Sequence, residues 1–102
     1  MSALIWCPFP NNGDAREAVD RLLDENLIAC ANLIDRVESI YKWAGQKGVA
    51  TETIVVFKTH ISKLDAAIAR LEILHPYEEP AILGWECNSV TNSTERWLGS
   101  LA

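Results

Sequence analysis

Among the thiols and imidazoles of this 102-residue sequence, Cys7 and His75 are the pair that could together hold a soft metal ion. Thiolate and imidazole donors suit copper or zinc. Two ligands do not close a zinc site, which takes four, so a further donor would come from a carboxylate, water or a neighbouring molecule. The other readings are a buried thiol for Cys7 and, for His75, a ring that orders the turn at Pro76. Glu52 and Lys58 share a strand parity but lie six residues apart, about 20 Å at strand rise, so each needs another partner. Glu78 and Glu79 follow the His75-Pro76-Tyr77 turn, where a carboxylate pair suits a harder cation or stays solvated. His60 sits at a strand-to-helix junction and reads as a surface residue, and Cys30 and Cys87 as small core hydrophobes.

The elements that must position these residues follow from periodicity. Ala3–Cys7 is a short apolar strand closed by Pro8-Phe9-Pro10. Asn11-Asn12-Gly13-Asp14 is turn chemistry, with Asn12 or Asp14 as the expected N-cap, and Ala15, Ala18, Val19, Leu22 and Leu23 then recur at helical spacing. From Ile28 to Trp43 the pattern is a strand, with Val37, Tyr41 and Trp43 on one parity and Arg36, Glu38 and Lys42 on the other. Gly45 and Gly48 bracket a turn, and the β-branched run Thr51–Thr59 completes a long hairpin. Ser62-Lys63-Leu64-Asp65 resembles a capping box, and Leu64, Ile68 and Leu71 carry a second helix to about Leu74, ahead of Pro76. Ala81–Val90 is expected as a last strand. Asn92 and Glu95 are expected to cap a short terminal helix carrying Trp97, Leu98 and Leu101.

The order β-α-β-β-α-β plus a short helix defines an α+β, ferredoxin-like sandwich. Right-handed crossovers give an antiparallel sheet in the order 4-1-3-2, with both helices on one face and residues 1–102 in one domain. In that sheet Cys7 and His75 fall at the same end. The opposite face has no helix, yet Ile54 and Val56 alternate with Val55 and Phe57, so both faces of this strand are apolar. Such a face needs a cover, and the long hairpin edges invite pairing, so self-association is expected.

Composition narrows the function classes. A net charge of -5 repels phosphate backbones, so no nucleic-acid partner is expected. No apolar stretch approaches the roughly 20 residues of a membrane helix. Three widely spaced cysteines are not a disulfide framework, and no basic region precedes the apolar run Ala3–Cys7, so a reducing, cytoplasmic setting is expected. No nucleotide loop, C-x-x-C, H-E-x-x-H or nucleophile elbow is present, so no catalytic residues and no required cofactor are expected. A phosphate cradle of the acylphosphatase type would need a Gly-rich turn where Pro8-Phe9-Pro10 stands.

Ala29–Ile34 (ACANLI), Ser39–Gly45 (SIYKWAG), the Glu52-to-Thr59 stretch and His75–Pro80 (HPYEEP) occur in an order that resembles the CutA divalent-ion tolerance family. The resemblance runs from about Ile5 to Leu101. It implies a tight homotrimer in which long hairpins pair between subunits. It implies a role in tolerance of divalent metals, copper above all, with Cys7 and His75 at the positions of a copper site. It also implies that Trp43, Glu52, Lys58 and Tyr77 line a cleft between subunits. The alternative is a trimeric module, independent of metal, that binds a small molecule or a protein segment. Three departures bear on these expectations. Leu74 stands where some members carry a second His, the 44–48 turn lacks the usual acids, and Asp35-Arg36 replaces a common Pro-Gly.

Overall fold

The computed structural model describes residues 1–101; Ala102, the last residue of the expected domain, lies outside the described residues. The elements are β1 (Ser2–Phe9), α1 (Asn12–Asp24), β2 (Cys30–Trp43), β3 (Gln46–His60), α2 (Ile61–Leu74), β4 (Leu83–Glu86) and α3 (Asn92–Gly99). They form an α+β structure with one four-stranded antiparallel sheet in the order β2-β3-β1-β4, which is the expected topology. Both long helices pack on one face. Ile5, Cys7 and Phe9 of β1 and Val55 and Phe57 of β3 meet Ala15, Ala18, Val19 and Leu22 of α1 and Ala67 and Leu71 of α2 in the buried core.

Several boundaries differ from expectation. β1 continues through Pro8 to Phe9: Pro8 has no N–H to donate, but it lies beyond the Ala3–Trp6 stretch that β4 pairs and stays in register with Ile54 of β3. The cap of α1 is Asn11, whose side-chain oxygen accepts from the Asp14 N–H at 2.8 Å, rather than Asn12 or Asp14. His60 does more than sit on the surface. Its ring caps α2 by accepting from the Ser62 N–H, so the helix begins one residue ahead of the expected box. Thr91, not Asn92, caps α3. β4 is only Leu83–Glu86, pairing with Ala3–Trp6, whereas Ala81–Val90 was expected. Gly84 sets its position. A Cβ there would fall 2.8 Å from Ile68 Cδ1 and 2.9 Å from Leu64 Cδ1, so glycine lets β4 close onto α2.

The long hairpin is present, but β2 starts at Cys30 rather than Ile28, β3 runs from Gln46 to His60 rather than over Thr51–Thr59, and the turn is Ala44-Gly45, both at positive φ. That is the left-handed pair a two-residue hairpin loop requires. Gly48 lies inside β3, opposite Tyr41. Asp35-Arg36 forms a bulge between Ile34 and Val37, with Arg36 at φ 58°. Asp35 is held there by Asn12 Nδ2 at 3.1 Å and Thr53 Oγ1 at 3.0 Å. These two donors hold its carboxyl below the usual range.

Beyond the bulge the hairpin projects past the helices, and the molecule measures 44 Å on its long axis against 22 Å on its shortest.

Candidate functional site

The sheet face opposite the long helices carries the cross-strand row of Trp85, Leu4 and Lys58 and the row of Leu83, Trp6 and Val56. Register extends this face through Val37, Ser39, Tyr41 and Trp43 of β2 and Glu52, Ala50 and Gly48 of β3. The segment after α2 folds over its far end. The result is an open cleft of about 900 Å³ whose wall includes Tyr41, Trp43, Glu52, Tyr77, Glu78 and Glu79.

Two contacts shape the cleft. Tyr77 Oη donates to Glu52 Oε2 at 2.8 Å, joining the loop to β3. Desolvation and the Glu52 carboxylate push the Tyr77 phenol up to about 12, so it stays a donor near neutral pH. The Tyr41 ring lies across Gly48, where an added Cβ would sit 2.5 Å from its Cζ. Glycine at 48 therefore lets this ring lie flat on the hairpin.

His75 anchors the loop from below. It is 7% exposed and stacks on Phe9 with ring centroids 4.4 Å apart. Its Nε2–H donates to the Pro8 carbonyl at 2.7 Å, and its Nδ1 accepts from the Tyr77 N–H at 3.1 Å. The two bonds together select the neutral ring with the proton on Nε2. Burial holds the imidazole below its ordinary value, opposed by the Pro8 carbonyl and by Glu52. Cys7 is fully buried and its Sγ faces the same Pro8 carbonyl at 3.8 Å. Burial, reinforced by Glu52, pushes its thiol up to about 12.

The structure thus brings Cys7 and His75 to one end of the sheet, around one carbonyl oxygen. As donors to a metal they do not fit in this arrangement. The thiol is protonated and shielded, and neither ring nitrogen has a free lone pair. Among the described residues no group of three His, Cys, Asp or Glu side chains is placed to hold a metal ion. Within one chain Trp43, Glu52 and Tyr77 come together on the wall of this cleft, and Lys58 does not line it; the cleft the resemblance implies is one between subunits. Lys58 pairs with Leu4 and Cys30 toward the other end of β3. Cys30 and Cys87 are half-buried rather than core residues, and all three cysteines are free thiols. Tyr41, Lys42 and the loop carboxylates also line the wall. The signal for Tyr41 was its shared parity with Trp43.

The fold and this cleft define a small α+β protein built around a long projecting hairpin. The family model for the CutA1 divalent ion tolerance protein matches residues 3–100, and the chain belongs to that family. It is 36% identical over 95 residues to the divalent-cation tolerance protein CutA of Thermotoga maritima, covering 93% of each chain. A CutA homolog of Xenopus laevis is 29% identical over 100 residues; the match covers 98% of this chain and spans 65% of that protein's length. Among solved structures, the CutA of Archaeoglobus fulgidus, described as periplasmic, superposes with a TM-score of 0.93 at 25% identity, covering 99% of this chain and 98% of that one. The CutA of Xylella fastidiosa gives a TM-score of 0.93 at 27% identity, with 98% and 96% covered. Among the described residues no helix is long and apolar enough to cross a membrane.

Proposed function

We propose that this protein serves divalent-cation tolerance as a cytoplasmic homotrimer of ferredoxin-like subunits, binding a ligand in the cleft rather than catalysing a reaction. One observation carries the assembly. The sheet face away from the long helices is apolar and open over much of its area, with Trp6, Ile34, Leu83 and Trp85 exposed, and it runs into a hairpin with both faces open. Contiguous exposed apolar surface of this kind marks an association site. β2 is also a 14-residue edge strand, a template for pairing with a neighbouring chain. The divalent-cation tolerance named for the relatives supports the physiological role. A binding role is supported by a Cys7 thiol too basic to act as a nucleophile and a His75 ring committed to two structural bonds.

The competing reading is weak copper binding at Cys7 and His75. It requires His75 to release Pro8 or Tyr77 and a buried thiol to ionise. The geometry favours a cleft ligand instead. Native mass spectrometry of the reduced protein, with and without one equivalent of copper per chain, separates the readings. A trimer that leaves Cys7 and His75 free of copper supports the cleft. A trimer carrying one copper per chain, lost in Cys7→Ala, overturns the cleft in favour of the thiol–imidazole site. A monomer at micromolar concentration removes the assembly.

A further inference from the structure

We propose that the cleft is a receptor for a small organic cation bearing a guanidinium group, held between the aromatic rings of Tyr41, Trp43 and Tyr77 and the carboxylates of Glu52, Glu78 and Glu79. The inference rests on the reading of the cleft as a ligand site and names the chemistry it takes. Three features of the wall converge on that class. Its volume of about 900 Å³ matches a drug-sized molecule and far exceeds a bare ion. Its charge is one-sided, with three carboxylates against the single ammonium of Lys42. Among the described residues none of those carboxylates has a cationic side chain within ion-pair distance. The third feature is the aromatic content. Aromatic faces contribute nothing to the oxygen shell of a hard divalent ion but attract organic cations through the ring quadrupole.

Guanidinium fits better than a compact ammonium. It is planar and weakly hydrated, it stacks on aromatic faces, and it donates two parallel hydrogen bonds to one carboxylate. Glu52 is prepared for that role. Tyr77 Oη holds its Oε2, which fixes the carboxylate's orientation at the base of the cleft. Tyr41, laid flat over Gly48, offers a ring face on the same surface. Glu78 and Glu79 line the cleft from the loop that His75 anchors.

The test is calorimetric titration of the full chain with butylguanidinium and, in parallel, with its neutral counterpart butylurea, with particle mass measured on the same samples by light scattering. Saturable binding is expected for butylguanidinium, about tenfold or more tighter than for butylurea. Glu52→Gln and Trp43→Leu should each weaken it by about fivefold or more while far-ultraviolet circular dichroism and an unchanged cooperative thermal transition confirm the native fold. Equal affinity for the two compounds, or no saturation up to ~10 mM in a trimeric sample, overturns the inference and leaves the assembly standing. Binding in a sample that proves monomeric upholds the inference and removes the trimer. Binding that ignores both substitutions places the cation elsewhere and overturns the assignment to this cleft.

Discussion

The two ends of the β2–β3 hairpin are built from similar residues and live in different surroundings. At the base, Val55 and Phe57 are fully buried under α1 and α2. At the far end, Ile40 and Val49 are cross-strand partners, yet they are 72% and 65% exposed. Trp43, beside the turn, is 62% exposed. A strand pair is indifferent to what covers it as long as its backbone bonds are made. Its side chains are not. The base satisfies its apolar surface within the chain, whereas the far end needs another body. The base therefore governs whether the chain folds, and the far end governs what the folded chain joins.

That contrast can be broken in graded steps. The largest effect is expected at the base. Phe57→Ala removes a fully buried ring and should cost about 3–5 kcal/mol in urea unfolding, because the surrounding core only partly collapses into the space. An effect near zero would mean the base is not the folding core. The double change Ile40→Ser with Val49→Ser should leave the stability of the isolated chain within about 0.5 kcal/mol, since both side chains face solvent in a single chain. It should still shift assembly by about tenfold or more in sedimentation, near 1.4 kcal/mol. Unchanged assembly would assign the interface to the base alone.

A pH dependence sharpens the base further. The folded-state value of His75 is depressed from 6.5, so its contribution is present above the unfolded value and shrinks as pH falls below about 6.5 toward the folded one. Stability should therefore decline on acidification through that window, and His75→Gln should flatten the slope; an identical slope in the variant would sink the assignment. The smallest effect is expected at the tip. Ala44 occupies the left-handed region, which costs an L-residue energy that Asn tolerates better, so Ala44→Asn should stabilise by about 0.5–1 kcal/mol in thermal unfolding. A loss of stability would show that the turn conformation is not the constraint.

Element order and helix extent were legible in the sequence because they follow from short-range periodicity. Leu64, Ile68 and Leu71 placed a second helix that ends at Leu74 as expected, and the alternation around Val55 and Phe57 marked the long strand. Local competition hid the caps. Asn11 and Thr91 each lie next to a residue of equal or better capping chemistry, His60 stands two residues ahead of Ser62, and backbone geometry chose between them. β4 was overestimated because its limits come from its partner. It pairs only where Ala3–Trp6 runs alongside and where Gly84 admits α2.

The candidate site divides along the same line. The sequence determined that Cys7 and His75 share one end of the sheet, that Tyr41 and Trp43 share a strand parity, and that one sheet face is apolar and carries neither long helix. These are consequences of repeat lengths, which every residue carries with it. Only the tertiary structure decided that the Pro8 carbonyl takes the His75 proton, that burial keeps the Cys7 thiol protonated, and that Tyr77 ties Glu52 into a cleft with Glu78 and Glu79. Those outcomes depend on distances between residues far apart in the chain and on the dielectric around them, and neither is written in the spacing of any single element.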